Sequence, residues 1–264
     1  MRASGPVTAI TISPDRTYVA AGHASGNIYL WDLGSPLKPS RTTLALTLKQ
    51  VMSGRKEGHL QGSRILHIGF VGARHTSIVT GDEHGRAFWW SLGKVIGVES
   101  NDVVRMLGSY PEQEPAPVNG RVTYPSKRPS TLFAVRSLPL GDKPHGTDTF
   151  SFTVLLTPIK LVIVGMKPTA KTWYRKMRDA LGEPTGSHAG CATWLKAGEL
   201  EEGSDPVLAY SWGNHVRFLR VKMGVDIAED ASGKKTDVPE FIEGRKFDAS
   251  GSILALQWYD PDVS

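Results

Sequence analysis

Short runs of Val, Ile, Leu, Tyr, Phe and Trp recur along the chain, punctuated by Gly, Pro, Asn, Asp and Ser. Such runs predict strands, because branched and aromatic side chains fit a pleated surface and the punctuating residues fit turns. Two stretches, VAAGHASGNIYLWDLG (Val19–Gly34) and IVTGDEHGRAFWWSLG (Ile78–Gly93), align at an offset of 59 residues, Gly22 on Gly81. Gly26 then falls on Gly85, Trp31 on Trp90, Leu33 on Leu92 and Gly34 on Gly93. Upstream, Val7–Ile12 and Ile65–Phe70 form a matching pair of apolar strands.

Each repeat reads as strand, turn, strand, tight glycine turn, strand ending in Trp. The glycines at 26 and 85 suit a hairpin turn with positive φ. Trp31–Asp32 stands where a WD dipeptide ends the third strand of a propeller blade, and Trp90–Ser91 is a weaker copy. Long connections account for a spacing above the ~40–45 residues of a WD repeat.

Later segments continue the pattern. Thr131–Leu138, Phe150–Thr157, Lys160–Met166 and Lys171–Arg178 predict a third unit. Gly190–Lys196, Val207–Ser211, His215–Lys222 and Phe241–Phe247 predict a fourth, and Ser252–Tyr259 the first strand of a fifth. The expected fold is therefore all-β: a partial WD-repeat-type β-propeller of about four blades plus one strand. Blade-like units fall at 7–49, 63–108, 131–178 and 190–247, with 252–259 opening the next. Inserted loops are expected at 35–62, 111–129, 139–148 and 224–237, none with the period of a long amphipathic helix, and Met177–Leu181 allows one helical turn at most. An uncovered blade face of several hundred Å² forfeits on the order of 10 kcal/mol, so a segment of a longer propeller is expected.

Composition narrows the function. An apolar fraction of 40% and a charged fraction of 22% are those of a folded protein. Phe152–Met166 is broken by Pro158 and Lys160, which suits two strands around a tight turn and not a membrane span. No signal-peptide pattern opens the chain, Cys191 is the single cysteine, and no N-x-[ST] sequon occurs, which together suit a cytosol-facing location.

Net charge is +5. The excess lies in residues 1–132, with 15 Lys/Arg against 9 Asp/Glu, while residues 133–264 carry 16 against 17. Lys38, Arg41, Lys49, Arg55 and Lys56 concentrate it in one connection, which makes them the candidate contact for anionic lipid or a partner. Aromatics for stacking on single strands are missing there, so no nucleic acid is expected.

The chemistry-bearing residues give no catalytic motif. The eight histidines form no H-E-x-x-H pair and join no cysteine cluster, so no metal is expected. His188 and Cys191 lack a third partner and an oxyanion loop, so a nucleophilic pair is not expected. No phosphate- or dinucleotide-binding glycine motif occurs, and no cofactor is expected. Trp31, Trp90, Trp173 and Trp212 read as packing residues at strand ends. Ser25 and His84 stand where WD repeats usually place an Asp, which argues against a complete hydrogen-bonded tetrad.

Three strings carry a more specific resemblance: SPDRTYVAAGHASGNIYLWDL (Ser13–Leu33), GSRILHIGFVGARHTSIVTGDEHGRAFWWSLGKV (Gly62–Val95) and LLTPIKLVIVGMKPTAKTWYR (Leu155–Arg175). They resemble the N-terminal propeller of the vacuolar protein sorting-associated protein 8 family. The resemblance implies a non-catalytic subunit of the CORVET endosomal tether, acting in Rab-dependent endosome fusion and transport to the vacuole or lysosome. It implies as partners the other tether subunits and a GTP-bound endosomal Rab GTPase, with peripheral placement on the endosomal membrane. In that family an α-solenoid and a RING-type zinc domain follow the propeller, and no RING activity carries over to these residues. A scaffold of another trafficking complex, such as the related vacuolar tether, and a propeller enzyme with a site assembled from distant strand ends stay open as alternatives.

Overall fold

Alternation builds the first sheet. Val7–Ile12 (β1), Tyr18–His23 (β2), Ile28–Asp32 (β3) and Arg41–Thr43 (β4) pair in that order, all antiparallel. Ile10, Ala21 and Tyr29 are in register on one face with Ile12, Val19 and Trp31. Ala9, Gly22 and Ile28, with Thr11, Ala20 and Leu30, form the other. This second face is the buried one: Ala20, Ile28 and Leu30 join Ile65, Ile68, Ile78, Phe88 and Trp90 in one core. The structure is a computed structural model describing residues 5–54, 56–72, 77–95, 98–99, 102–112, 117–118, 121–122, 131–178, 189–229 and 235–259.

The partner residues in that core belong to the second sheet, made of Ile65–Phe70 (β5), Ser77–Asp82 (β6) and Ala87–Ser91 (β7). Two short pairs follow elsewhere, Lys94–Val95 with Val98–Glu99 (β8, β9) and Pro117–Val118 with Arg121–Val122 (β11, β12). Between them Asp102–Leu107 (β10) completes the second sheet beside β7. The repeated glycines have two reasons. Gly26 and Gly85 turn their hairpins at φ +87° and +74°. Gly22 and Gly81 are close approaches: a Cβ at 22 would meet Ile65 Cγ2 at 2.4 Å, and one at 81 would meet Leu132 Cδ1 at 2.8 Å. Thr8 Oγ1 donates to Ile65 O (2.7 Å), and Arg41 Nη2 to Leu92 O and Gly93 O (3.0 and 2.9 Å), tying the first sheet to the second.

The chain divides into two compact units, Met1–Val135 and Arg136–Ser264. The third sheet opens at the boundary with Ala134–Ser137 (β13) and continues through Phe152–Leu156 (β14), Lys160–Gly165 (β15) and Lys171–Met177 (β16). Every residue of β14 is buried, as a strand covered on both faces requires. The β14–β15 turn closes through Thr157, whose N–H donates to Lys160 O at 2.9 Å. The fourth sheet runs Gly190–Leu195 (β17), Val207–Trp212 (β18), His215–Glu229 (β19) and Lys235–Asp248 (β20). Within the second unit, Trp194 Nε1 donates to Arg136 O (3.1 Å) and Trp212 Nε1 to Thr157 O (2.8 Å). Four antiparallel sheets of four strands are the all-β, partial-propeller architecture the repeat predicts.

Three segments differ from expectation. The connection 35–62 holds β4 and a short helix, Leu48–Met52 (α1), closed by a Thr47–Gln50 capping box and buried through Leu48 and Val51. Five helical residues are too few to show a period. Within the stretch 224–237, the described residues 224–229 and 235–237 continue β19 and β20, paired at Ile227–Asp237 and Glu229–Lys235. Backbone pairing overrides its polar composition. Ser252–Tyr259 joins no sheet: Ile253 N donates to Gly213 O (2.8 Å), and Trp258 lies 6.1 Å from the Phe218 ring. The loop 139–148 contains the start of a 3₁₀ turn, Gly146–Thr149. Met177 ends β16, while 179–181 and most of 111–129 lie outside the described residues.

Candidate functional site

Sheet two encloses the most elaborate polar arrangement in the first unit. Strand β6 presents Thr80 and Asp82 on one side, two residues apart, and β7 presents Trp90 beside them. His59 enters from the connection behind α1. Trp90 Nε1 donates to Thr80 Oγ1 at 2.8 Å. The Thr80 hydroxyl and His59 Nε2 are 2.7 Å apart, and His59 Nδ1 lies 2.9 Å from Asp82 Oδ2. This is a complete Trp–Thr–His–Asp tetrad, and it overturns the expectation that the second repeat would lack one. The acid is Asp82, two positions before His84. The first repeat has Ala21 and His23 where the second has Thr80 and Asp82, so it has no tetrad.

Arg86 extends the network. Its Nε donates to Asp82 Oδ2 (2.8 Å) and its Nη2 to Ser63 Oγ (2.6 Å), while the N–H groups of His84 and Arg86 donate to Asp82 Oδ1. His59, Thr80, Asp82, Arg86 and Ser63 are all buried. Burial works to raise the Asp82 pKa, but His59 and Arg86 outweigh it and hold the carboxyl at about 2. Burial lowers the His59 pKa against the pull of Asp82. The geometry agrees: only neutral His59 donates through Nδ1 to Asp82 and accepts the Thr80 proton at Nε2, which leaves no polar hydrogen of the chain unused.

A pH dependence follows. Unfolded His59 titrates near 6.5, and the folded group titrates lower. Its contribution is therefore complete above pH 6.5 and is lost as pH falls below it. Asp82 has the same sign at lower pH, its contribution complete above about 3.9 and lost as pH falls through about 2. Thermal unfolding should thus shift to lower temperature between pH 7 and 5, by at most about 1.4 kcal/mol per pH unit for each such histidine. His84, lowered by burial and then by Arg86, adds to the slope. His59→Asn should flatten the pH profile of Tm, and an unchanged slope would refute this account.

A second clip lies beside it. Tyr110 Oη donates to Glu57 Oε2 (2.7 Å) and accepts from Gly58 N (2.9 Å), with the Arg105 guanidinium 4.8 Å over its ring. Burial raises the Tyr110 pKa, so the phenol stays protonated. Together the clip and the tetrad fix the connection that carries α1.

The four basic candidates among the described residues are not all brought together. Lys38 is exposed in the β3–β4 connection, whereas exposed Lys49 and Lys56 follow β4. Because β3 and β4 are antiparallel, these two connections leave from opposite ends of the sheet. Arg41, on β4, is occupied by the carbonyls of Leu92 and Gly93. Arg55 lies outside the described residues. His188 does too, and Cys191 Sγ lies 3.1 Å from Ser211 Oγ, its pKa raised by burial. Trp90 and Trp212 are buried, Trp31 and Trp173 half-buried. Among the described residues, no three His, Cys, Asp or Glu side chains are placed to hold a metal, and no helix is long and apolar enough to cross a membrane.

Comparison with known families gives one match over nearly the whole chain: the model described as "Vps8 beta-propeller" covers residues 1–263. The chain belongs to the Vps8 β-propeller family. Among its relatives, vacuolar protein sorting-associated protein 8 homologs of Mus musculus and Homo sapiens are each 25% identical over 83% of this chain. The chain spans 13% of the length of each. Vacuolar protein sorting-associated protein 8 of Saccharomyces cerevisiae is 32% identical over 36% of this chain and 9% of its own. Among solved structures, U3-55K superposes with a TM-score of 0.50 at 9% identity, over 96% of this chain and 55% of that one, a likeness of fold alone.

In this Vps8-family chain the residue missed by sequence reading is His59. The repeat offset gives it no counterpart to match, and it lies in a connection otherwise distinguished by its lysines. Its signal was the spacing of a lone histidine ahead of a strand that carries Thr80 and Asp82.

Proposed function

We propose that these residues form a non-catalytic interaction scaffold within a CORVET-type endosomal tether subunit, peripheral on the endosomal membrane and acting in Rab-dependent fusion and vacuole-directed transport. Membership of the Vps8 family over residues 1–263 carries this reading. The vacuolar sorting named in its relatives supports the process. The polar groups of the tetrad are buried and hydrogen-bonded to one another, which supports a structural role for them. The partners are the remaining tether subunits and a GTP-bound endosomal Rab GTPase. Capture of the longer protein on GTP- and GDP-loaded Rab, with and without residues 1–264, tests this. GTP-selective capture that needs these residues is expected. Equal capture in both nucleotide states, or capture indifferent to their removal, would overturn it.

A further inference from the structure

We infer that the connection following β4 is a contact for anionic membrane surfaces, with Lys49, Met52 and Lys56 as its described contact residues. Four observations converge on it. No acidic residue occurs between Asp32 and Glu57, and Glu57 itself faces Tyr110 and Arg105. Helix α1 is held from below by Leu48 and Val51 on Leu60, which turns Lys49 and Met52 outward one helical turn apart. Met52 is 64% exposed and Leu44, at the start of the same connection, 62%. Lys56 is exposed just beyond. Cations interleaved with exposed apolar side chains match an interface that offers phosphate and carboxylate charge above hydrocarbon.

The support beneath the patch favours a surface contact over a random polar loop. A capping box closes the helix, the Leu46–Leu60 bridge closes the connection, and Tyr110 holds Gly58. The cations are thus presented on a fixed base, which limits the ordering cost of binding. An acidic protein face would use the lysines but has no need of exposed Met52 and Leu44, so the membrane is the better match. The inference stands apart from the tether reading, because it uses only charge, exposure and topology of this connection.

The opposite end of the sheet supplies the control. Leu37 is 99% exposed beside Lys38, yet β4 separates that connection from Lys49 and Lys56. The test is co-flotation of the 264-residue chain with phosphatidylcholine vesicles with and without phosphatidylserine, at low and high salt. Binding is expected only to the phosphatidylserine vesicles and should fall with salt. Lys49→Ala with Lys56→Ala should weaken it about thirty-fold, taking each cation near the surface at its usual worth. Met52→Ser should weaken binding at both salt concentrations, and Lys38→Ala should leave it unchanged. All these side chains are exposed, and an unchanged Tm confirms that the variants fold. Equal binding to both vesicle types, no binding to either, or an effect of Lys38→Ala equal to that of the double variant would overturn the proposal. Binding to an acidic protein with no vesicle binding would do so as well.

Discussion

Asp82→Ala should lower the stability of the first unit by about 3–5 kcal/mol, the range for breaking a buried ion pair from one side. The carboxylate receives four hydrogen bonds, from His59 Nδ1, Arg86 Nε and the backbone N–H groups of His84 and Arg86. Removing it leaves the Arg86 guanidinium, 1% exposed, with Ser63 Oγ and no counter-charge from Asp82. It also takes from His59 the hydrogen bond at Nδ1, leaving its side chain the bond to Thr80 and its packing on Phe88 and Trp90. The repeat provides the reference. His23 is the matching position in the first sheet, half-buried, with Nδ1 against Gly5 O at 3.0 Å and no tetrad around it. His23→Ala should cost about 1 kcal/mol, as an ordinary substitution does. Urea denaturation followed by tryptophan fluorescence measures both. Equal losses would show that the network around Asp82 adds nothing to the packing that surrounds it.

The contrast between Asp82 and His23 also shows how far the sequence could be read. Strand positions were legible because each repeat advertises its turns by glycine and its third strand by Trp. The face each side chain takes then follows from the period of two. What repeats cannot advertise is a residue present once. His59 is such a residue, and so are Tyr110 and Arg86, whose partners Gly58 and Ser63 lie in a connection that the repeat does not match. The T-x-x-Q of Thr47–Gln50 was a readable cap that a search for helical period passes over. The lysines were readable as a group but not as a place, because sequence proximity spans both ends of β4. The β19–β20 extension was hidden for another reason. Its ladder runs through the backbone, and Gly, Asp and Lys side chains say little about backbone pairing.

Trp212→Ala should be the costliest truncation in the second unit, at about 3–5 kcal/mol for loss of a buried tryptophan. Trp212 is fully buried, sits edge-to-face with Tyr210 at 5.5 Å, and donates from Nε1 to Thr157 O at 2.8 Å. That bond satisfies the carbonyl at the very turn that joins β14 to β15, so the ring fixes β18 and the third sheet's tightest hairpin together. Trp212→Phe separates the two contributions. It keeps an aromatic ring and strands the carbonyl, for about 1–3 kcal/mol. Trp173, which the sequence also suggests as a strand-end packing residue, is half-buried on β16 and covered partly by the Lys171 ammonium at 4.3 Å. Trp173→Ala should therefore cost less than half as much. In calorimetry the full truncation of Trp212 should lower the transition of the second unit by about 10 °C, given a few degrees per kcal/mol for chains of this size. If Trp173→Ala shifts it as far, burial and the Thr157 bond are not what distinguishes these tryptophans, and the strand-end position alone would have to explain both.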